Sequence, residues 1–166
     1  MSHSGGAPQG QRVRLPLLDR LLDADPDAPC DPPLTPALAL DTLRAAVRRD
    51  LEALLNARRR RWPLPAAAPE LALSPLGYGI PDATSGAYAL AARREELALE
   101  VERVIRRFEP RLLGVRVTLR DIGNELDRTL RLRVEAILRT DPIPEPISFE
   151  AVIEAVSHDV RVTERG

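Results

Sequence analysis

The sequence predicts an α+β fold, with helices packed against one face of an antiparallel β-sheet. Three observations lead there. Apolar residues recur at steps of three and four through the first two thirds of the chain, and the step falls to two from Val115 onward. The helical segments also precede the strand segments instead of alternating with them, as helices on one side of an antiparallel sheet require.

Residues 1–12 are rich in Gly, Ser and Pro and are expected to form a disordered tail, with residues 13–166 as a single domain. In LPLLDRLLDAD, Leu17, Leu18, Leu21 and Leu22 make a short helical stripe, with Pro16 suited to a first turn. Pro26 to Pro36 read as a loop. A longer helix is expected from Thr42 to Arg59, with Leu43, Val47, Leu51, Leu54 and Leu55 on one side and Arg44, Arg48 and Arg49 largely on the other. Arg58 to Arg61 then suit a helix C-terminus, and Trp62-Pro63 stops it.

Residues 63–86, PLPAAAPELALSPLGYGIPDATSG, form a connector longer than most, which suggests a task. No phosphate-loop or dinucleotide pattern occurs in it. A central helix is expected from Ala87 to Arg107, with Leu90, Leu97, Val101, Val104 and Phe108 in a stripe that Arg94 interrupts, and with Glu102 and Arg106 placed to pair. Val115, Val117 and Leu119 then alternate with polar residues. So do Leu130, Leu132, Val134, Ala136 and Leu138, and both segments read as half-buried strands. Phe149, Ala151, Ile153 and Ala155 share a face in the next segment, and a turn at Ser157–Asp159 leads into a last strand, VRVTE.

Composition narrows the function. All 24 basic residues are arginine, so no lysine serves a phosphate loop or a Schiff base, and a formal net charge of −1 argues against a general nucleic-acid binder. Cys30 is the only cysteine, and it lies in a Pro/Asp loop without a histidine nearby. His3 and His158 make no metal pattern, and no metal or cofactor is expected. The N-terminus has no apolar signal core, and no run approaches the roughly 18 apolar residues of a membrane helix, so a soluble intracellular chain is expected.

Glu109 is the residue that stands out. Pro110 ends the helix there and leaves a carboxylate beside exposed helix carbonyls, where negative charge is disfavoured. It reads as a catalytic acid, a salt-bridged corner or part of a docking surface. Arg106, Arg107 and Arg111 are the donors nearest in sequence, and Arg111 can clamp it bidentately. Such pairing favours the ionised form, the opposite of what a general acid at neutral pH needs. A glycosidase needs a second carboxylate about 5–10 Å away. Glu102 shares the helix and Asp82 lies in the connector, but neither defines a cleft, and sugar-binding aromatics are scarce.

LSPLGYGIPDATSG, the helix after it and FEPRLLGVRVTL together resemble the family of phage T-even baseplate wedge proteins and the TssE subunits of type VI secretion systems. LPLLDRLLD, LRAAVRRDLEALLNARRRRWP, LRLRVEAIL and ISFEAVI extend the resemblance over about residues 12–163. The family commonly has asparagine before the loop tyrosine; this chain has Gly77 before Tyr78, which removes a side-chain hydrogen-bond partner.

The resemblance implies a structural role without catalysis or cofactor. It marks the loop residues Tyr78, Gly79, Pro81 and Asp82 and the corner Glu109, Pro110 and Arg111 as structural or interaction motifs. The implied partners are TssF, TssG and TssK in the baseplate and the sheath proteins TssB and TssC, which pair through sheet edges. Neither specific nucleic-acid binding nor membrane insertion is implied, and the implied location is a cytoplasmic baseplate docked at the inner-membrane complex. The alternatives are a baseplate protein of a phage-derived particle and, from the family's lysozyme-like label, a peptidoglycan glycosidase using Glu109.

Overall fold

The computed structural model describes residues 15–22, 27, 35–59, 64–81, 91–120, 129–141, 143–154 and 159–165. The expected tail, Cys30, Trp62, Asp82, His3, His158 and Ala155 lie outside them.

Helices α1 (Leu17–Leu21), α2 (Pro36–Asn56) and α3 (Ala91–Phe108) precede strands β1 (Leu112–Arg120), β2 (Thr129–Leu138), β3 (Glu145–Glu154) and β4 (Val160–Arg165). The strands form one antiparallel sheet in the order β1-β2-β3-β4. The predicted α+β architecture is therefore the one found. Inward residues stack in register across the sheet, as in Val117–Val134–Phe149 and Leu132–Ala151–Val162. The apolar stripes of α2 and α3 cover that face, and Val47, Leu51, Val101, Val104 and Ile105 meet the strands in one continuous core. Phe149 is fully buried at its centre. The aliphatic core matches the scarcity of aromatic residues.

Three boundaries differ from the sequence reading, each for a local reason. Helix α2 starts at Pro36 because the Thr35 hydroxyl accepts from the Leu38 amide and proline occupies the first turn. It stops at Asn56, where Ala57 turns extended and its carbonyl accepts from the Ile80 amide at 3.0 Å. Arg58 and Arg59 consequently do not cap the helix: Arg58 bridges to Ile80, and Arg59 pairs with Glu100 of α3 at 2.6 Å. Strand β1 begins at Leu112, and a register shift between Leu113 and Arg116 interrupts the alternation that would have revealed those first residues. The α1 leucines, read as an apolar stripe, are all exposed.

Helix side chains cap part of each edge of this sheet. Along β4, the Asn56 amide group donates to the Val160 carbonyl at 2.8 Å and accepts from the Val160 N–H at 2.9 Å. One turn back, Glu52 accepts from the Val162 N–H at 3.0 Å, and Arg48 donates to the Val162 carbonyl. Along β1, Glu102 accepts from the Val117 N–H at 3.0 Å and Arg106 donates to the Val115 carbonyl at 2.7 Å. The spacing explains the match. Four helix residues rise about 6 Å, nearly the roughly 6.7 Å of two strand residues, so side chains at i and i+4 fall opposite successive outward-pointing peptide units.

Unpaired edges invite association between chains. The double substitution Glu52→Ala/Asn56→Ala is therefore expected to give concentration-dependent dimers, with a stability loss of about 2 kcal/mol from the missing hydrogen bonds. Sedimentation velocity checks this, and a strictly monomeric variant at high concentration would show that the caps do not protect the edge.

Candidate functional site: the Glu109-Pro110-Arg111 corner

The corner is built where α3 hands over to β1. The Glu109 N–H still donates to the Ile105 carbonyl at 2.8 Å, and the Leu112 N–H donates to the Glu109 carbonyl at 3.1 Å, closing a tight turn around Pro110. The Arg111 carbonyl accepts from the Arg139 N–H at 2.8 Å, which ties the turn to the end of β2.

The Glu109 carboxylate is buried, only 4 % exposed. Arg111 grips both of its oxygens through Nε and a terminal nitrogen, in a bidentate clamp. The same guanidinium reaches Asp50 of α2 at 2.7 Å. Asp50 also accepts from Arg49 at 3.0 Å, and Arg49 pairs with Asp19 of α1 at 2.7 Å. Charges thus alternate from Asp19 through Arg49, Asp50 and Arg111 to Glu109, joining two helices to the corner. Burial pulls the Arg111 pKa down, but its hydrogen bonds to Glu109 and Asp50 and the charges of both carboxylates outweigh this and hold it above the ordinary arginine value.

Of the three nearby arginines, only Arg111 serves Glu109. Arg106 pairs with Glu102 at 2.8 Å, and Arg107 donates to the Ala72 carbonyl. Asp50 was not singled out from the sequence. Its sole signal there is a carboxylate at the end of an arginine-rich helix face, and the chain separation from Arg111 hides the contact.

The Tyr78 loop meets the corner from the other side. Two 3₁₀ turns, Pro69–Leu73 and Pro75–Gly77, lead into it. Gly77 is buried, and a Cβ there would lie 2.3 Å from the Ala72 carbonyl oxygen, so this backbone has no room for the asparagine common in the family. Gly79 has φ of 96°, and the loop docks on the end of α2 through Ile80. The Tyr78 ring meets Phe108, the last residue of α3, edge to face at 5.3 Å. Tyr78, Phe108, Glu109, Pro110, Arg111, Asp50, Leu54 and Pro16 line a cleft of about 400 Å³. Pro81 follows directly and is half-buried.

This arrangement does not suit acid catalysis. The two carboxylates facing the cleft, Glu109 and Asp50, share one guanidinium. Glu102, the other carboxylate considered, is committed to the β1 edge and Arg106. Among the described residues, no group of histidine, cysteine or acidic side chains could hold a metal, and no helix is long and apolar enough to cross a membrane.

The Tyr78 pKa is raised, first by burial and then by the negative charges of Asp50 and Glu109. Between the unfolded and folded pKa values the native state holds the extra proton, so stability is full below about pH 10 and falls as pH rises above it. Thermal melts of wild type and Tyr78→Phe at pH 8 to 11 are expected to show a steeper alkaline loss in wild type. Parallel curves would mean that Tyr78 does not contribute to the pH dependence.

Neither the curated proteins nor the solved structures that were compared gave a match to this chain. The family model of the baseplate wedge protein gp25 matches residues 41–143. That span runs from α2 through the Tyr78 loop, α3 and the corner to the end of β2, more than half of the 166 residues. The chain accordingly belongs to the gp25 baseplate wedge family, as a structural baseplate component whose buried carboxylate is held in an ion-paired corner.

Proposed function

We propose that this chain is the TssE subunit of a type VI secretion baseplate. In this reading it joins the wedge beside TssF and TssG, with TssK adjacent, on the cytoplasmic side of the inner-membrane complex. It starts polymerisation of the TssB–TssC sheath by offering a sheet edge to the first sheath strand. The observation that carries the proposal is the Glu109–Arg111–Asp50 chain, with Glu109 buried, which clamps the turn between α3 and β1 to α2. An angular error there is carried directly into an edge strand, where a neighbouring subunit pairs. The Tyr78–Phe108 contact braces the same turn. Asp82 is assigned to the same loop from the resemblance.

The test is copurification of the tagged full chain with TssF and TssG, beside fluorescent-sheath imaging of the Glu109→Ala and Arg111→Ala proteins. Recovery of the wedge and loss of sheath foci in both variants are expected while each remains stably expressed. No recovery from intact wedges, or normal sheaths in both variants, would overturn the assignment. Assembly only with phage-type tail components would place the chain in a phage-derived contractile particle.

A further inference from the structure

The face of the sheet turned away from the helices is organised in bands along the strands. At one end, Arg120, Arg131, Val152 and Arg161 stand in one register row across all four strands. The three arginines are exposed. Among the described residues, Arg120 and Arg161 have no carboxylate partner, and Arg131 reaches Glu150 only at 3.7 Å, a carboxylate that Arg165 also holds at 3.2 Å. Arg120 and Arg131 are direct cross-strand partners, an arrangement that disfavours folding. This local excess sits in a chain of net charge −1. At the other end, Leu113 and Ile137 are register partners, 43 % and 44 % exposed, and Pro146 follows in the same row. Between the two ends the face neutralises itself, as in Arg133–Glu135 at 2.9 Å.

We infer that this outer face docks a helix of a partner protein that is acidic at one end and apolar at the other and lies along the strands. Arg131 and Ile137 are six positions apart on β2, about 20 Å, which a helix of roughly 13 residues spans. The arginine row is three strand spacings wide, about 14 Å, so it reaches carboxylates on both flanks of a helix about 10 Å across that lies over the middle strands. Charge complementarity selects the acidic end and the Leu113–Ile137 pair orients it. A nucleic acid would match the arginines, but it has nothing to place on the apolar end, and no described aromatic side chain on this face is available for base stacking. The surface uses side chains of the outer face, not the outward backbone groups of β1 and β4 or the Glu109–Arg111 clamp.

The test uses the full chain and a synthetic 14-residue helical peptide with three leucines at one end and four glutamates at the other, in both orientations, followed by fluorescence anisotropy at physiological salt. One orientation is expected to bind at least tenfold tighter than a scrambled peptide of the same composition. The triple substitution Arg120→Ala/Arg131→Ala/Arg161→Ala is expected to weaken it at least tenfold, and Ile137→Ser to do likewise. The triple variant should melt no lower than wild type, since it removes opposed like charges. Glu109→Ala is expected to leave peptide binding unchanged, which separates failure here from failure of the proposed baseplate role. Equal binding of the scrambled peptide, or no effect of the triple substitution, would overturn the inference. So would tighter, row-dependent binding of duplex DNA, which would make the ligand a polyanion. A tenfold gain on Asp121→Asn/Glu125→Gln/Asp127→Asn would overturn it too, by showing that the chain's own β1–β2 connection occupies the row.

Discussion

Replacing Arg111 by alanine is expected to remove about 3–5 kcal/mol of stability, the cost of leaving a buried charge without its partner. Glu109 would then sit unpaired, 4 % exposed, at the negative end of α3 with Asp50 close by. Glu109→Ala should cost less, about 1–2 kcal/mol, because Arg111 keeps Asp50 and is partly exposed. The double variant should recover part of the Arg111→Ala loss, since no buried carboxylate remains at the corner. Urea unfolding of the three proteins measures the order. Equal losses in both single variants would mean that the orphaned carboxylate is not the source of the cost.

The second large effect is expected at Gly79. A Cβ there would lie 2.3 Å from the Ala57 carbonyl oxygen and 2.7 Å from its carbon, at a φ of 96° that disfavours side chains. The backbone oxygen cannot yield, since it accepts the Ile80 amide that docks the loop on α2. Gly79→Ala should therefore unseat Ile80 from the core and Tyr78 from Phe108, costing about 3 kcal/mol or more. Gly114 is the control: its φ is 60° but a Cβ there meets nothing within 4 Å. Gly114→Ala should cost about 1 kcal/mol, the conformational part alone. Equal losses at the two positions in denaturant melts would show that the contact with Ala57 adds nothing.

Much of the fold was legible because its signals are local. The α3 stripe puts Leu97, Val101 and Val104 in the core, and the alternation of β2 places Leu130, Leu132, Val134, Ala136 and Leu138 inward. What hid elsewhere was either masked by composition or tertiary. The Thr35-Pro36 start of α2 sits in a proline-rich stretch that reads as loop. The opening of β1 loses its period to the bulge. At the corner, the Glu109–Arg111 partnership was readable from two positions of separation, whereas Asp50 enters only because α2 packs beside the turn. Glu102 and Arg106 were readable as a surface pair, but their hold on β1 depends on where the strand runs relative to the helix.

The capped edges change the arithmetic of any strand that pairs with this sheet. Val160 and Val162 already have their outward amides and carbonyls satisfied by Asn56, Glu52 and Arg48. An arriving strand therefore substitutes bond for bond, and the number of backbone hydrogen bonds barely changes. Such an exchange gives an indifferent sequence almost no affinity, so the incoming side chains must supply the preference for one partner. It also has a barrier, because the helix side chains must let go before the new ladder closes. Pairing by this route is slow to begin and favourable only for the matched strand.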